Sequence, residues 1–235
     1  MRKTFICFLL IALSVTACTR QESMEELTAR VFERAAVQFL HLDANLDAVA
    51  LTNLGEAVYP RSINLDGTLW TSDYKWWCSG FYPGSLWFVY EYTGDEMYKE
   101  LALKHQAGLE PLRFRTDDHD IGFQLMCSYG NNLRITGDSL CVPVLIDGAN
   151  SLATRFDPEV GCTRSWDTKK YVFSVIIDNM MNMELLLKAV ELGADESLRD
   201  MAMSHAYTTM KNHFRDDHSC YHVLDYDHET GEVLQ

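Results

Sequence analysis

The sequence contains no Cys-x-x-Cys pair and no His-Glu-x-x-His stretch. Neither a structural zinc knuckle, a dithiol redox motif nor a helical zinc-protease motif is therefore supported. No long run of glycine, serine, proline or single-sign charge marks a linker. Basic residues are scarce: 20 Lys and Arg stand against 34 Asp and Glu, a net charge of −14. Phosphate neutralisation needs a basic face, so nucleic acid is excluded as a partner, as is electrostatic binding to an anionic membrane. A small anionic substrate stays admissible, because a cleft can hold local donors against the overall field. The apolar run Phe5 to Val15 is too short to cross a bilayer as a permanent helix.

That short run is nevertheless an address. Arg2 and Lys3 precede it, and it ends in Val15-Thr16-Ala17-Cys18, which resembles a bacterial lipobox. The implied mature protein begins at an acylated Cys18; an ordinary secretory peptide with an incidental cysteine is the alternative. Either route exports the chain. Residues 1–17 are read as a lipoprotein signal peptide and residues 18–235 as one folded unit. The expected location is the periplasm or outer membrane, with membrane contact through the lipid alone. Seven cysteines occur, and no spacing demands a disulfide, so buried free thiols are expected.

What remains, 47% hydrophobic and 23% charged overall, is ordinary globular composition, long enough for a sizeable core. Helical periodicity dominates. From Met24, apolar residues recur at Leu27, Val31, Phe32, Ala35, Ala36, Phe39 and Leu40, one face of an amphipathic helix. Ser23 with Glu25 and Glu26 suits its start. A polar, turn-rich stretch is expected from about Leu42 to Asp73. A module then recurs: apolar helical segments stop at Thr93-Gly94-Asp95, Thr136-Gly137-Asp138 and Gly193-Ala194-Asp195. Each glycine suits a helix stop and each Asp the next N-cap. The repetition points to stacked helical hairpins; a shared stop-and-start signal accounts for the turns alone. Strand signals are sparse. The best is the alternating run Cys220 to Tyr226, turning at Asp227 to Gly231 toward Glu232-Val233-Leu234.

Four clusters bear on chemistry. Trp70, Tyr74, Trp76, Trp77, Phe81 and Tyr82 either pack a core or form a sugar-stacking wall. Asp117-Asp118-His119-Asp120 reads as an acidic N-cap or as carboxylates that raise one another's pKa. Ser165-Trp166-Asp167 carries a lone Trp, ordinarily a packing residue. Asp178 opens an apolar helix between Ile176, Ile177 and Met180; it is a cap or, by desolvation, a general acid. His218 and His222 have helical ligand spacing but lie in a strand-like context, and no metal is expected there.

The phrases WWCSGFYPGSLW, DHDIGF, SWD, IIDNMMNMELL and DDHSCYHVLDYDHETG, in this order, resemble the unsaturated glucuronyl hydrolases of glycoside hydrolase family 88. The resemblance runs from about Trp70 to Gly231. It implies an all-α fold, an (α/α)6 barrel of helical hairpins with a small β-hairpin. Members continue beyond that hairpin with a Gln-, Arg- and Trp-rich region absent here, so residues 18–235 are expected to be the N-terminal portion of such a barrel. It implies Asp178 as principal acid/base and Asp120 as its partner carboxylate. His119, His222, Trp77 and Trp166 are implied to line the sugar site, with no cofactor or metal. The implied substrates are lyase-generated oligosaccharides ending in a 4,5-unsaturated uronate. An unsaturated rhamnogalacturonyl hydrolase and a noncatalytic glycan-binding lipoprotein are the alternative functions.

Overall fold

The computed structural model describes residues 22–52 and 58–235. The lipobox-like segment and Cys18 lie outside the described residues. The chain divides into two compact units, one ending at Gln38 and the other comprising Phe39–Gln235.

Helix α1, Met24–Thr52, contributes to both. Its first turn is closed by a reciprocal capping box: the Glu26 amide donates to Ser23 Oγ (3.1 Å) and the Ser23 amide to Glu26 Oε2 (2.9 Å). The helix continues twelve residues past Leu40, through part of the stretch expected to be polar turn. Within the second unit, Asp43 accepts from Lys104 (3.1 Å) and sits 2.7 Å from His105 Nε2, and Asp47 accepts from Lys104 (2.6 Å). Leu46, between those two carboxylates, is fully buried. Polar residues that read as a turn are thus the helix's docking face.

The second unit begins with a hairpin, β1 (Tyr59–Ile63) against β2 (Leu69–Ser72). Helices α2 (Phe81–Thr93) and α3 (Glu96–Ala107) fold back on each other across the first repeat turn. Next comes an almost continuous helical stretch: α4 (Ile121–Leu125), a π turn over Met126–Gly130, and α5 (Asn131–Thr136). Helices α6 (Cys141–Ala153), α7 (Met183–Glu191) and α8 (Ser197–Asn212) pack in succession.

The repeat turns behave alike. Gly94 and Gly137 take left-handed φ values of 69° and 75°, and their amides return to Tyr90 and Leu133. Asp95 and Asp138 then accept the amides of Met97 and Leu140. In both, the Asp amide also donates to the Thr two residues back. At the third turn Gly193 has φ 98° and Asp195 accepts the Ser197 amide.

The main core of this unit joins α4, α6, α7 and α8 through residues such as Ile121, Leu125, Leu145, Leu185 and Leu198. A smaller core of Val160, Cys162, Phe173, Val175, Leu224 and Tyr226 underlies two further ribbons. One pairs β3 (Phe156–Asp157) with β4 (Cys162–Thr163); the other pairs β5 (Ser174–Ile176) with β6 (Val223–Asp225). The expected C-terminal strand therefore forms, but its ladder partner is β5. The expected hairpin with residues 232–234 reduces to a Tyr226–Val233 bridge and flanking backbone bonds. Cys78, Cys127, Cys141, Cys162 and Cys220 are unpaired; Cys141 and Cys162 are buried and the other three half-buried.

Candidate active site

Two segments, far apart in sequence, carry the predicted carboxylates. Asp120 ends the loop before α4 but makes no capping bond of its own. The amide of Phe123, one of the orphan donors of that helix start, is capped across the fold by Asn182 Oδ1 at 2.9 Å. Asp120 is thereby released from the helix-capping role its position suggests. Asn182 closes the short 3-10 turn Ile177–Asn182, the turn that holds Asp178. The two segments touch so closely that a Cβ on Gly122 would lie 2.5 Å from the Asn182 Cα and Cβ.

Burial pushes the Asp120 carboxyl up to about 8, and the neighbouring Asp118 and Asp178 charges push in the same direction against Arg115. Asp178 is half-buried, and burial raises its carboxyl too, partly opposed by His222. Its Oδ1 is buried without a hydrogen-bond partner. The larger upward push falls on Asp120, the residue assigned the supporting role from sequence.

Behind Asp120 lies His119. It has no exposed surface, so it backs the carboxylate instead of facing a sugar. Its Nε2 is 3.3 Å from Asp120 Oδ1, and its Nδ1 is 3.0 Å from Asn182 Nδ2. Burial first, then Arg155, hold the imidazole down at about 3, which keeps it neutral.

The cleft in front of Asp120 encloses about 410 Å³ and is lined by Asp73, Lys75, Trp76, Trp77, Arg115, Asp118, Asp120 and Trp166. Both predicted tryptophans thus share one cleft with Asp120. Trp77 is 46% exposed and meets Phe81 and Phe123 edge-on, those two rings being stacked 5.4 Å apart. Its loop is nailed to α4 by the fully buried Gln124, whose amide donates to the Trp76 carbonyl (2.9 Å) and Ser79 Oγ (2.8 Å). Trp166 is set by the buried Arg155, which donates to the carbonyls of Thr116, Arg164 and Ser165 and to the Asp167 carboxylate. The aromatic cluster therefore divides: Tyr82 is core, whereas Trp77 and Trp76 are wall.

His222 is exposed, just before β6. Its carbonyl accepts the Ile177 amide (2.9 Å), which fixes the start of the Asp178 turn. Neither His222 nor Asp178 lines the 410 Å³ cleft. A larger groove of about 690 Å³, floored by Phe88, Met126, Met180, Met181 and Leu187, contains none of the predicted site residues. Asp118, His119 and Asp120 offer ligand atoms within 4.8 Å of one another. Arg115 already pairs with Asp118 at 2.8 Å, and its positive charge opposes a cation there.

Sequence reasoning missed Asn182, Asn179, Gln124 and Arg155. The first two stand within the DNMMN phrase, three apart on one face of a turn. Asn179 donates to the Thr163 carbonyl at 2.6 Å. A pair of asparagines in so apolar a segment is the available signal, since buried amides demand partners.

No family model matches the chain. Among curated proteins, it is 36% identical to an unsaturated glucuronyl hydrolase of Formosa agariphila over 92% of this chain and 53% of that protein. It is 34% identical to an unsaturated chondroitin disaccharide hydrolase of Streptococcus agalactiae over 75% of this chain and 46% of that one. The crystal structure of an unsaturated glucuronyl hydrolase specific for heparin superposes with a TM-score of 0.74 at 45% identity, covering 76% of this chain and 48% of that chain. The glucuronyl hydrolase of Bacillus sp. GL1 superposes at 0.71 with 30% identity over 87% of this chain and 54% of that one. The chain spans about half the length of the curated relatives it matches. Its helical hairpins form part of an (α/α) barrel. With sequence and fold in agreement, the chain belongs to the unsaturated glucuronyl hydrolase family.

Proposed function

We propose that the protein removes a 4,5-unsaturated uronate from lyase-generated oligosaccharides by hydrating its C4=C5 bond. The observation that carries this reading is the pair of carboxylates, Asp120 and Asp178, each with its ionised form disfavoured, the first of them lining a cleft walled by Trp77 and Trp166. The double bond and ring oxygen form an enol ether. A carboxylic acid gives its proton to C4, and the positive charge left at C5 is shared with the ring oxygen. Water adds at C5 and passes a proton back to the carboxylate. The hemiketal opens to a ketone at C5, and the freed hemiacetal at C1 releases the partner sugar as an alcohol. One water is consumed and the acid is regenerated. No direct acetal cleavage occurs, so carboxylate separation carries no stereochemical rule here.

Asp178 is the donor and subsequent base in this scheme; Asp120 holds its acidity in range and grips the substrate. Trp77 and Trp166 stack on sugar rings, and His222 supplies a polar contact. The larger push on Asp120 favours a second reading in which the two exchange roles. The Asn variants separate them. The donor's variant loses turnover by ~10² or more. The other keeps residual turnover with its basic limb moved to lower pH, because a neighbouring negative charge has gone.

The direct test follows ultraviolet absorbance of the conjugated bond in unsaturated chondroitin-, heparin- and rhamnogalacturonan-derived disaccharides. Loss of absorbance with the uronates is expected. Preference for the rhamnogalacturonan product favours the sister activity, and binding with unchanged absorbance makes the chain a glycan-binding protein. The same reading takes Cys18 as the first mature residue, lipid-bearing and membrane-tethered on the exported side. Cys18→Ala is expected to release the protein from membranes or block its processing; unchanged fractionation defeats the anchor.

A further inference from the structure

We infer that Asn182 is a positioning residue, fixing His119 as the Nε2–H tautomer and so keeping a proton, and not a lone pair, on the nitrogen nearest Asp120. The inference rests on the reading of Asp120 and Asp178 as the reacting pair. Phe123 N–H can only donate, and the atom it meets, 2.9 Å away, is Asn182 Oδ1. The orientation of this side-chain amide is therefore settled by the chain itself. Its NH2 group must face the other way, toward His119 Nδ1 at 3.0 Å and Asn179 Oδ1 at 3.3 Å. An NH2 group has no acceptor, so His119 Nδ1 must be the lone-pair nitrogen. A neutral imidazole with a bare Nδ1 carries its proton on Nε2. That nitrogen lies 3.3 Å from Asp120 Oδ1, close to it but not in line for a hydrogen bond, and it is buried without a partner. Each of Asn179, Asn182 and His119 is fully buried, so water does not compete for these groups.

Asn182 also terminates the turn that bears Asp178, and it abuts Gly122, two residues beyond Asp120. One side chain thus caps the helix under Asp120, sets the histidine behind it and closes the turn of the second carboxylate. A merely space-filling residue would do none of these by hydrogen bonding.

The test uses the full chain with 15N-labelled histidine, the His119 signals being assigned by their loss in a His119→Gln variant. In the parent protein, His119 is expected to show a protonated Nε2 and an unprotonated Nδ1. Asn182→Asp keeps the shape and the acceptor for Phe123, but presents an oxygen to Nδ1, so Nδ1 is expected to become protonated. With the unsaturated disaccharide that the parent turns over, kcat should fall roughly 10-fold or more and KM should change less, as when one buried donor loses its partner. Asn182→Ala should lower kcat similarly, and thermal melting checks its folding. The parent's tautomer decides the matter if that variant does not fold. A protonated Nδ1 in the parent, or an unprotonated one in Asn182→Asp, overturns the inference whatever the turnover. Full kcat in Asn182→Asp overturns it too. A parent without turnover on any unsaturated disaccharide instead defeats the catalytic reading, while the nitrogen signals still judge the tautomer.

Discussion

Asp120 holds its proton more tightly in the folded chain than an exposed aspartate does, and that has a thermodynamic sign. Its carboxyl sits at about 8 because of burial and two like charges. The folded state therefore binds more protons than the unfolded state between about pH 4 and about pH 8. Whatever stability this group contributes is complete below the unfolded value and is lost as pH rises through the folded one. Asp120→Asn removes the titration. Its melting temperature should exceed the parent's by several degrees at pH 8, with the gap closing toward pH 4. Parallel melting curves across that range would mean the carboxyl is not perturbed. A gain of this kind is what a site held in tension with its fold predicts. His119 behaves in the opposite sense, neutral because burial disfavours its cation.

At the scale of elements, the chain announces its helix ends far better than its joints. The Gly94 and Gly137 turns were legible because left-handed φ and an N-cap Asp are local demands, met by neighbouring residues. The start of α1 was legible for the same reason. Its continuation to Thr52 was not, because Asp43 and Asp47 are docked by Lys104 and His105, some sixty residues away. The ribbon β5–β6 was half legible: alternation marked one strand, and nothing in Ser174–Ile176 named the other. Both carboxylates came from the ordered phrases, but the amide that joins their segments satisfies its bonds only in three dimensions. Gly122 is the measurable form of that joint. Gly122→Ala drives a methyl to 2.5 Å from Asn182 and should destabilise by about 3 kcal/mol, at the upper end for overpacking. Gly137→Ala meets open space at positive φ and should cost only about 1 kcal/mol. Chemical denaturation compares the two, and equal losses would show that the α4–turn contact is looser than described.

For the molecule as a whole, the acid excess and the apolar groove act on different observables. The groove over Phe88, Met126, Met181 and Leu187 is largely apolar, with Phe88 48% and Leu187 38% exposed, although Arg134, Glu184, Lys188 and Glu191 also line it. An environment-sensitive fluorescent dye should bind there. Phe88→Lys with Leu187→Lys should remove more than half of its signal, each at a cost within about 0.5 kcal/mol, as surface changes usually are. Undiminished dye signal in the double variant would place the oily surface elsewhere.

The five tryptophans also make the protein its own optical instrument. Trp87 is sealed in the core with its indole N–H on Gln106, and its emission is a fixed blue background. Arg61 lies over the rings of Trp70 and Trp76. Trp76, Trp77 and Trp166 are partly exposed and line the cleft of Asp120, and of these Trp77 and Trp166 have no guanidinium stacked on them. An unsaturated disaccharide, the proposed substrate, is expected to strip water from Trp77 and Trp166 on entering that cleft, so the red edge of the spectrum should move while the blue edge stands still. In an Asp178→Asn protein, which the proposed reaction leaves without its proton donor, that shift is expected to titrate occupancy alone. It should vanish when Trp77 and Trp166 are both replaced by phenylalanine.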